Sequence, residues 1–137
     1  MNDLTNEAKE LFNEMKGFIK DNNFEVIEVR ENYCKLKGII TESSKNHLDI
    51  CHGGYIFGLA DTCGGIAAMT DYRVGVTVNS SISFIKKARG TYLIAETNKI
   101  SVGKKISVFE VNVYDEKEIL VAKVTLTYSY IENATIN

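Results

Sequence analysis

The run from Gly53 to Thr70 constrains this chain more than any other stretch. Ile56, Leu59, Cys63 and Ala67 recur on one side at helical spacing, which predicts a helix over 53–70. Gly58, Ala60, Gly64, Gly65 and Ala68 keep that helix thin. Each glycine costs roughly 1 kcal/mol of helix propensity relative to alanine. Close approach of another backbone, such as a sheet wrapped around the helix, would offset that cost. Four strand-like segments follow at 74–86, 91–102, 105–115 and 118–130. Val74, Val76, Val78, Ile82 and Phe84 alternate, as do Phe109, Val111 and Val113. The short connections at Arg89-Gly90, Gly103-Lys104 and Asp115-Glu116-Lys117 make these strands antiparallel.

Upstream, 24–30 and 33–41 read as a hairpin turning at Glu31-Asn32. Leu4, Ala8, Leu11, Phe12, Met15, Phe18 and Ile19 predict an amphipathic helix over 4–20, its last turn weakened by Gly17. Six strands and one dominant helix define a single α+β domain over 1–137, with its core at 24–130. The expected architecture is a long helix enclosed by a curved antiparallel sheet.

The bulk properties exclude several classes. With 45% hydrophobic and 25% charged residues the chain has the composition of a soluble globule. A net charge of −2 gives no basic field for nucleic acid. The apolar segments are too short for a membrane span, and Met1-Asn2-Asp3-Leu4-Thr5 lacks the parts of a signal peptide. A cytoplasmic protein with neither membrane nor nucleic-acid partner is expected. Cys34, Cys51 and Cys63 have no CxxC spacing, and His47 and His52 are the only histidines. Neither a disulfide frame nor a metal cage is indicated. No Walker-type or Rossmann glycine loop is present. The chain has no proline, so its turns rest on Gly, Asn, Asp and Lys.

The chemistry concentrates at Asn46-His47-Leu48-Asp49-Ile50-Cys51-His52-Gly53-Gly54 and, beyond it, Leu59-Ala60-Asp61-Thr62. His52 and two glycines stand at the mouth of the helix. Helix N-termini present free N–H groups and a partial positive charge, which stabilise a carbonyl oxygen as it becomes an oxyanion. Asp61, a lone carboxylate two turns further in, is a candidate base or nucleophile. Together these parts point to acyl transfer, and to hydrolysis in particular. Each has a plainer reading: a hydrogen-bonded structural Asp61, a capping His52, loop glycines, an Asn46 turn. Cys51 beside His52 suggests a thiolate nucleophile, but chain neighbours rarely form a productive pair and no third orienting group is evident.

These residues resemble the motif of the hotdog-fold acyl-CoA thioesterases, in particular the PaaI-like (phenylacetate-pathway) family. That motif runs Asn-x-x-Gly-x-x-His-Gly-Gly, then a helix carrying Leu-x-Asp. Asn46, His52, Gly53, Gly54, Leu59 and Asp61 match, while Asp49 stands where the family usually has glycine. Ser83-Phe84-Ile85-Lys86-Lys87-Ala88-Arg89-Gly90 resembles the family's Phe-x-[Arg/Lys/Ser]-Pro-Ala-x-x-Gly strand end, with Lys87 in place of proline. The likeness covers roughly residues 25–130.

The resemblance implies hydrolysis of an acyl-CoA to a free acid and CoA. The thioester oxygen would be held by the N–H groups of Gly53 and Gly54. Asp61 would activate water or attack directly, while His52 and Asn46 orient the loop and substrate. Thr77, sixteen residues after Asp61, would help position water, with Asn79 as its same-face neighbour. No metal or redox cofactor is implied; coenzyme A enters as part of the substrate. Lys86, Lys87, Arg89, Lys104 and Lys105 read either as solvated turn charges or as contacts to the CoA phosphates. Gly103 would let the pantetheine arm lie against backbone. Tyr55, Phe57, Met69 and Phe84 line a pocket or simply pack. Asp61 lies roughly 12 Å beyond Gly53 along one helix, which implies a homodimer or homotetramer with shared active sites. Two alternatives remain: a hotdog enoyl-CoA hydratase or dehydratase, whose usual Asp-x-x-x-x-His pattern is missing here, and a non-catalytic acyl-CoA binding module.

Overall fold

The computed structural model describes residues 3–136. Its elements run α1 (Thr5–Glu14), α2 (Phe18–Asp21), β1 (Phe24–Arg30), β2 (Tyr33–Ile39), α3 (Gly53–Ala68), β3 (Arg73–Phe84), β4 (Tyr92–Val102), β5 (Ile106–Asp115) and β6 (Leu120–Thr135). A 3₁₀ turn at Glu42–Ser44 leads into the loop before α3. The six strands form one antiparallel sheet in the order β1-β2-β4-β5-β6-β3. The inward-facing residues Leu36, Leu93, Ala95, Phe109, Val111, Val113, Val124 and Leu126 are fully buried. They close on Ile56, Leu59, Cys63 and Ala67, the apolar side of α3. This is the hotdog arrangement the sequence implies.

Three expectations change in detail. The single helix over 4–20 is two: α1 ends at Glu14, and Gly17 takes a φ of +86° that no α-helix accommodates. The break redirects the chain so that Phe18 lies on α3. A Cβ at Gly58 would meet the Phe18 ring at 2.6 Å. The small residues of α3 therefore admit side chains rather than a neighbouring backbone: Phe18 at Gly58, and Tyr128 of β6 at Gly64.

The third change concerns β3. Its ladder with β6 shifts register between Thr77 and Asn79, the mark of a β-bulge at Val78. Thr77 pairs with Tyr128 and Asn79 with Thr127, so the two side chains lie on opposite faces of the sheet. Asn79 is thus not the same-face neighbour of Thr77. Nor do Val76 and Val78 share a face with Ile82 and Phe84; they are 47% and 56% exposed. Among the described residues, the strand has β6 on one side and an unpaired edge on the other.

Candidate active site

The loop before α3 is built by its own polar groups. Asn46 Oδ1 accepts the Leu48 N–H at 2.9 Å, an Asx turn, and the Asn46 N–H donates to Ile50 O. Asp49, where the family usually has glycine, adopts φ +61°. That left-handed conformation is open to glycine and tolerated by aspartate, which explains both residues at one position. The Asp49 carboxylate turns outward to Lys45 at 3.4 Å. Glu42 first, and Asp49 second, accept hydrogen bonds from the Lys45 ammonium and hold it above its ordinary value. The His52 N–H donates to Ser44 O and the Cys51 N–H to Ala88 O, tying the loop to the 3₁₀ turn and to the β3–β4 connection.

His52 is the N-cap of α3. Its Nδ1 accepts the Gly54 N–H at 2.8 Å. The pair of amides expected to face a thioester oxygen is thereby reduced to one, because Gly54 spends its proton on the imidazole. Among the described residues, no acceptor takes the Gly53 N–H. Gly53 borders a cleft of about 350 Å³ lined also by Asn46, Phe84, Lys86 and Lys87. Of the four candidate pocket residues, Phe84 lines this cleft. Tyr55 packs: it is buried, and its hydroxyl donates to Ile39 O at 2.7 Å. Met69 and half-buried Phe57 lie outside the cleft lining.

Asp61 sits on the half-exposed side of α3, the only charged side chain of that helix. The Thr77 hydroxyl donates to its Oδ1 at 2.7 Å. The Tyr128 hydroxyl donates to the Asp61 carbonyl at 2.9 Å and lies 3.3 Å from Oδ1. Among the described residues, Oδ2 has no protein partner. Burial first, and the Asp61 charge second, push the Tyr128 phenol well above its ordinary value, so it is a permanent donor here. Sequence reasoning missed Tyr128. The signal was present in the alternation Val124, Leu126, Tyr128, which turns a phenol inward where its hydroxyl needs a partner.

The bulge at Val78 is what aims Thr77. In an unbroken ladder Val78 would oppose Tyr128 and Thr77 would face away from α3.

The basic residues fall into two sets. Lys86 and Lys87 flank the Gly53 cleft, and Arg89 lines a neighbouring one with Lys45 and Asp49. Lys104 and Lys105 lie in the β4–β5 turn at the opposite end of β3, roughly 36 Å along the strand. Arg73, stacked 3.6 Å over the Tyr130 ring, holds that turn through Gly103 O and Lys104 O. Gly103 serves the hairpin: a Cβ there would lie 2.6 Å from Ile106 O. One chain does not bring the two lysine pairs together.

Cys51 is buried, and burial pushes its thiol up to about 12. Its Sγ faces the His52 carbonyl rather than the imidazole. Both features argue against a thiolate nucleophile. Among the described residues no three His, Cys, Asp or Glu side chains converge on a common point, and no helix is long and apolar enough to cross a membrane.

A clamped carboxylate on the enclosed helix and a helix N-terminus opening on a basic cleft define a hotdog protein with the parts of an acyl hydrolase. Residues 48–122 match the model of the thioesterase superfamily, and the chain belongs to that superfamily. It is 29% identical over 71% of its length to an Archaeoglobus fulgidus protein named as a candidate esterase, and spans 64% of that relative. It superposes on the Escherichia coli PaaI protein of the phenylacetic acid degradation operon with a TM-score of 0.88. That match has 22% identity and covers 98% of this chain and 99% of the other. A hypothetical thioesterase of Streptococcus pneumoniae, solved with coenzyme A, superposes with a TM-score of 0.78 at 24% identity, over 86% and 100% of the two chains. That protein has also been solved with an aspartate and, separately, a threonine replaced by alanine, sixteen positions apart.

Proposed function

We propose that this protein hydrolyses acyl-CoA thioesters to a free acid and CoA in the cytoplasm, as a homodimer whose two active sites are each shared between the chains. The observation that carries this reading is Asp61, held at Oδ1 by Thr77 and Tyr128 with Oδ2 left open. The Streptococcus pneumoniae thioesterase lends support: its two substituted positions have the spacing of Asp61 and Thr77, and it binds coenzyme A.

In the reaction, the thioester oxygen lies against the Gly53 N–H at the positive end of α3. Water attacks the acyl carbon and passes its proton to Asp61. The tetrahedral adduct collapses, the C–S bond breaks, and the CoA sulfur leaves with that proton. In the covalent variant Asp61 itself bonds to the acyl carbon as the C–S bond breaks and CoA departs as the thiolate; water then cleaves the mixed anhydride to the free acid and the Asp61 carboxylate, and the proton released goes to the CoA sulfur. His52 fixes the first turn of α3, Asn46 shapes the loop, and Thr77 orients the carboxylate. The route uses no metal or redox cofactor.

The dimer follows from β3. An unpaired edge with valines exposed beside it needs a partner. Two copies pairing there antiparallel about a two-fold axis set Asp61 of one chain opposite Gly53 of the other. They also carry the Lys104-Lys105 turn toward the partner's Lys86 and Lys87, which gathers four cations for the CoA phosphates.

The test is a hydrolysis screen over acyl-CoAs of graded length and aryl-CoAs, following released thiol, with sedimentation to give the assembly. Turnover is expected. Tight binding without turnover would replace this reading with a binding module, and hydration of crotonyl-CoA would replace it with a hydratase.

A further inference from the structure

We propose that Tyr128 is a positioning residue for Asp61, seated by the missing side chain at Gly64, and that Oδ2 is therefore the reacting oxygen of the carboxylate. This rests on the reading of Asp61 as the reacting group.

Two hydroxyls from one side of the helix converge on one carboxylate oxygen: Thr77 at 2.7 Å and Tyr128 at 3.3 Å. The single Tyr128 proton is shared between the Asp61 carbonyl at 2.9 Å, its main acceptor, and Oδ1, the longer branch of a three-centre bond, so one phenol bears on both backbone and side chain of Asp61. A carboxylate gripped at Oδ1 does not rotate freely, and Oδ2 is left without a protein partner among the described residues. The two donors differ in kind. Thr77 lies on an exposed edge strand, whereas Tyr128 is 2% exposed with its ring edge-on to Phe109 at 6.4 Å. The buried phenol is the rigid half of the clamp.

Gly64 supplies the room. A Cβ at Gly64 would stand 2.6 Å from the Tyr128 hydroxyl oxygen and 2.9 Å from Leu126 Cδ1. The first contact is well inside van der Waals distance and would push the phenol off Asp61. The second meets the end of a flexible side chain, which can turn. The glycine lies in a buried helix interior, where it weakens the helix relative to alanine. The Tyr128 contact is what it provides in return.

The test is a double-mutant cycle of Tyr128→Phe and Gly64→Ala, with kcat and KM measured on an acyl-CoA the parent cleaves, and thermal melts as the fold control. Tyr128→Phe should lower kcat about 10- to 100-fold and change KM less than two-fold. Gly64→Ala should do the same. The double variant should be no worse than Tyr128→Phe alone, because phenylalanine leaves space for the new methyl group. Parental kcat in folded Tyr128→Phe, or losses that multiply in the double variant, would overturn the proposal. A readout independent of turnover is the ¹³Cγ resonance of Asp61, which should move in both single variants. An unmoved resonance would refute the clamp. A moved resonance in a protein that cleaves no acyl-CoA would uphold the clamp while refuting the thioesterase reading.

Discussion

Replacing Gly53 with proline removes the hydrogen that the proposed mechanism places on the thioester oxygen, and little else. Gly53 is the first helical residue after the N-cap His52, the position where proline fits best, because the N–H there serves no helix bond. His52 has φ −65° and ψ 137°, the extended conformation a following proline demands. The Gly54 N–H keeps its imidazole acceptor. The one crowded contact is with Phe84, whose ring lies 3.1 Å from a Cβ at Gly53; that ring is 55% exposed and can swing aside. Stability should change by no more than about 1 kcal/mol, since a stiffer unfolded chain offsets the crowding. Loss of one oxyanion donor should lower kcat by about 10²–10³, with KM nearly unchanged. The assay is thiol release from the best acyl-CoA of the screen, paired with a thermal melt. A folded Gly53→Pro protein with kcat within a few-fold of the parent would show that this amide does not carry the developing charge.

Asp61→Asn should cost about 10²–10⁴ in kcat while the fold survives; activity within a few-fold would remove Asp61 from the chemistry. When Asp61→Asn and Gly53→Pro chains are unfolded together and refolded, about half the dimers should be mixed, each with one intact site, so about a quarter of parental activity returns. Verified mixed dimers that stay inactive would put all the groups in one chain. Neutralising Lys86 and Lys87 should raise KM for CoA esters and spare a pantetheine thioester, which carries no 3′-phosphate. Equal effects on both substrates would assign the pair to folding. With the Cys51 thiol pushed up to about 12, its thiolate is scarce until the pH approaches that value. Iodoacetamide at pH 8 should therefore leave Cys51 unmodified and activity intact, and rapid alkylation there with loss of turnover would contradict its burial.

The periodic parts of the fold were legible in the sequence. Helix α3 ends two residues before the expected Thr70, and all six strands fall where alternation and short turns put them. The residues of the candidate site stand out in the sequence because Asn46, His52, Gly53, Gly54 and Asp61 form one compact pattern. What escaped depends on single backbone torsions or on pairing across long stretches of chain. Gly17 reads as a weak helical residue until its φ is known. The His-Gly-Gly string does not say that the imidazole claims one of the two amides. Tyr128 meets Asp61 only through the packing of α3 on β6, 67 residues away in the chain. The sequence shows Asp49 only as a departure from the family's glycine; its φ of +61° and its contact with Lys45 make it a turn residue facing outward.

The extra residue at Val78 means that β3 is read in two frames. Downstream of it the even positions Ser80, Ile82 and Phe84 face α3; upstream the odd positions Gly75 and Thr77 do. A slip of the strand that took Val78 into the ladder opposite Tyr128 would change no amino acid and would still turn the Thr77 hydroxyl away from Asp61. In this strand the reading frame, as much as any side chain, belongs to the site.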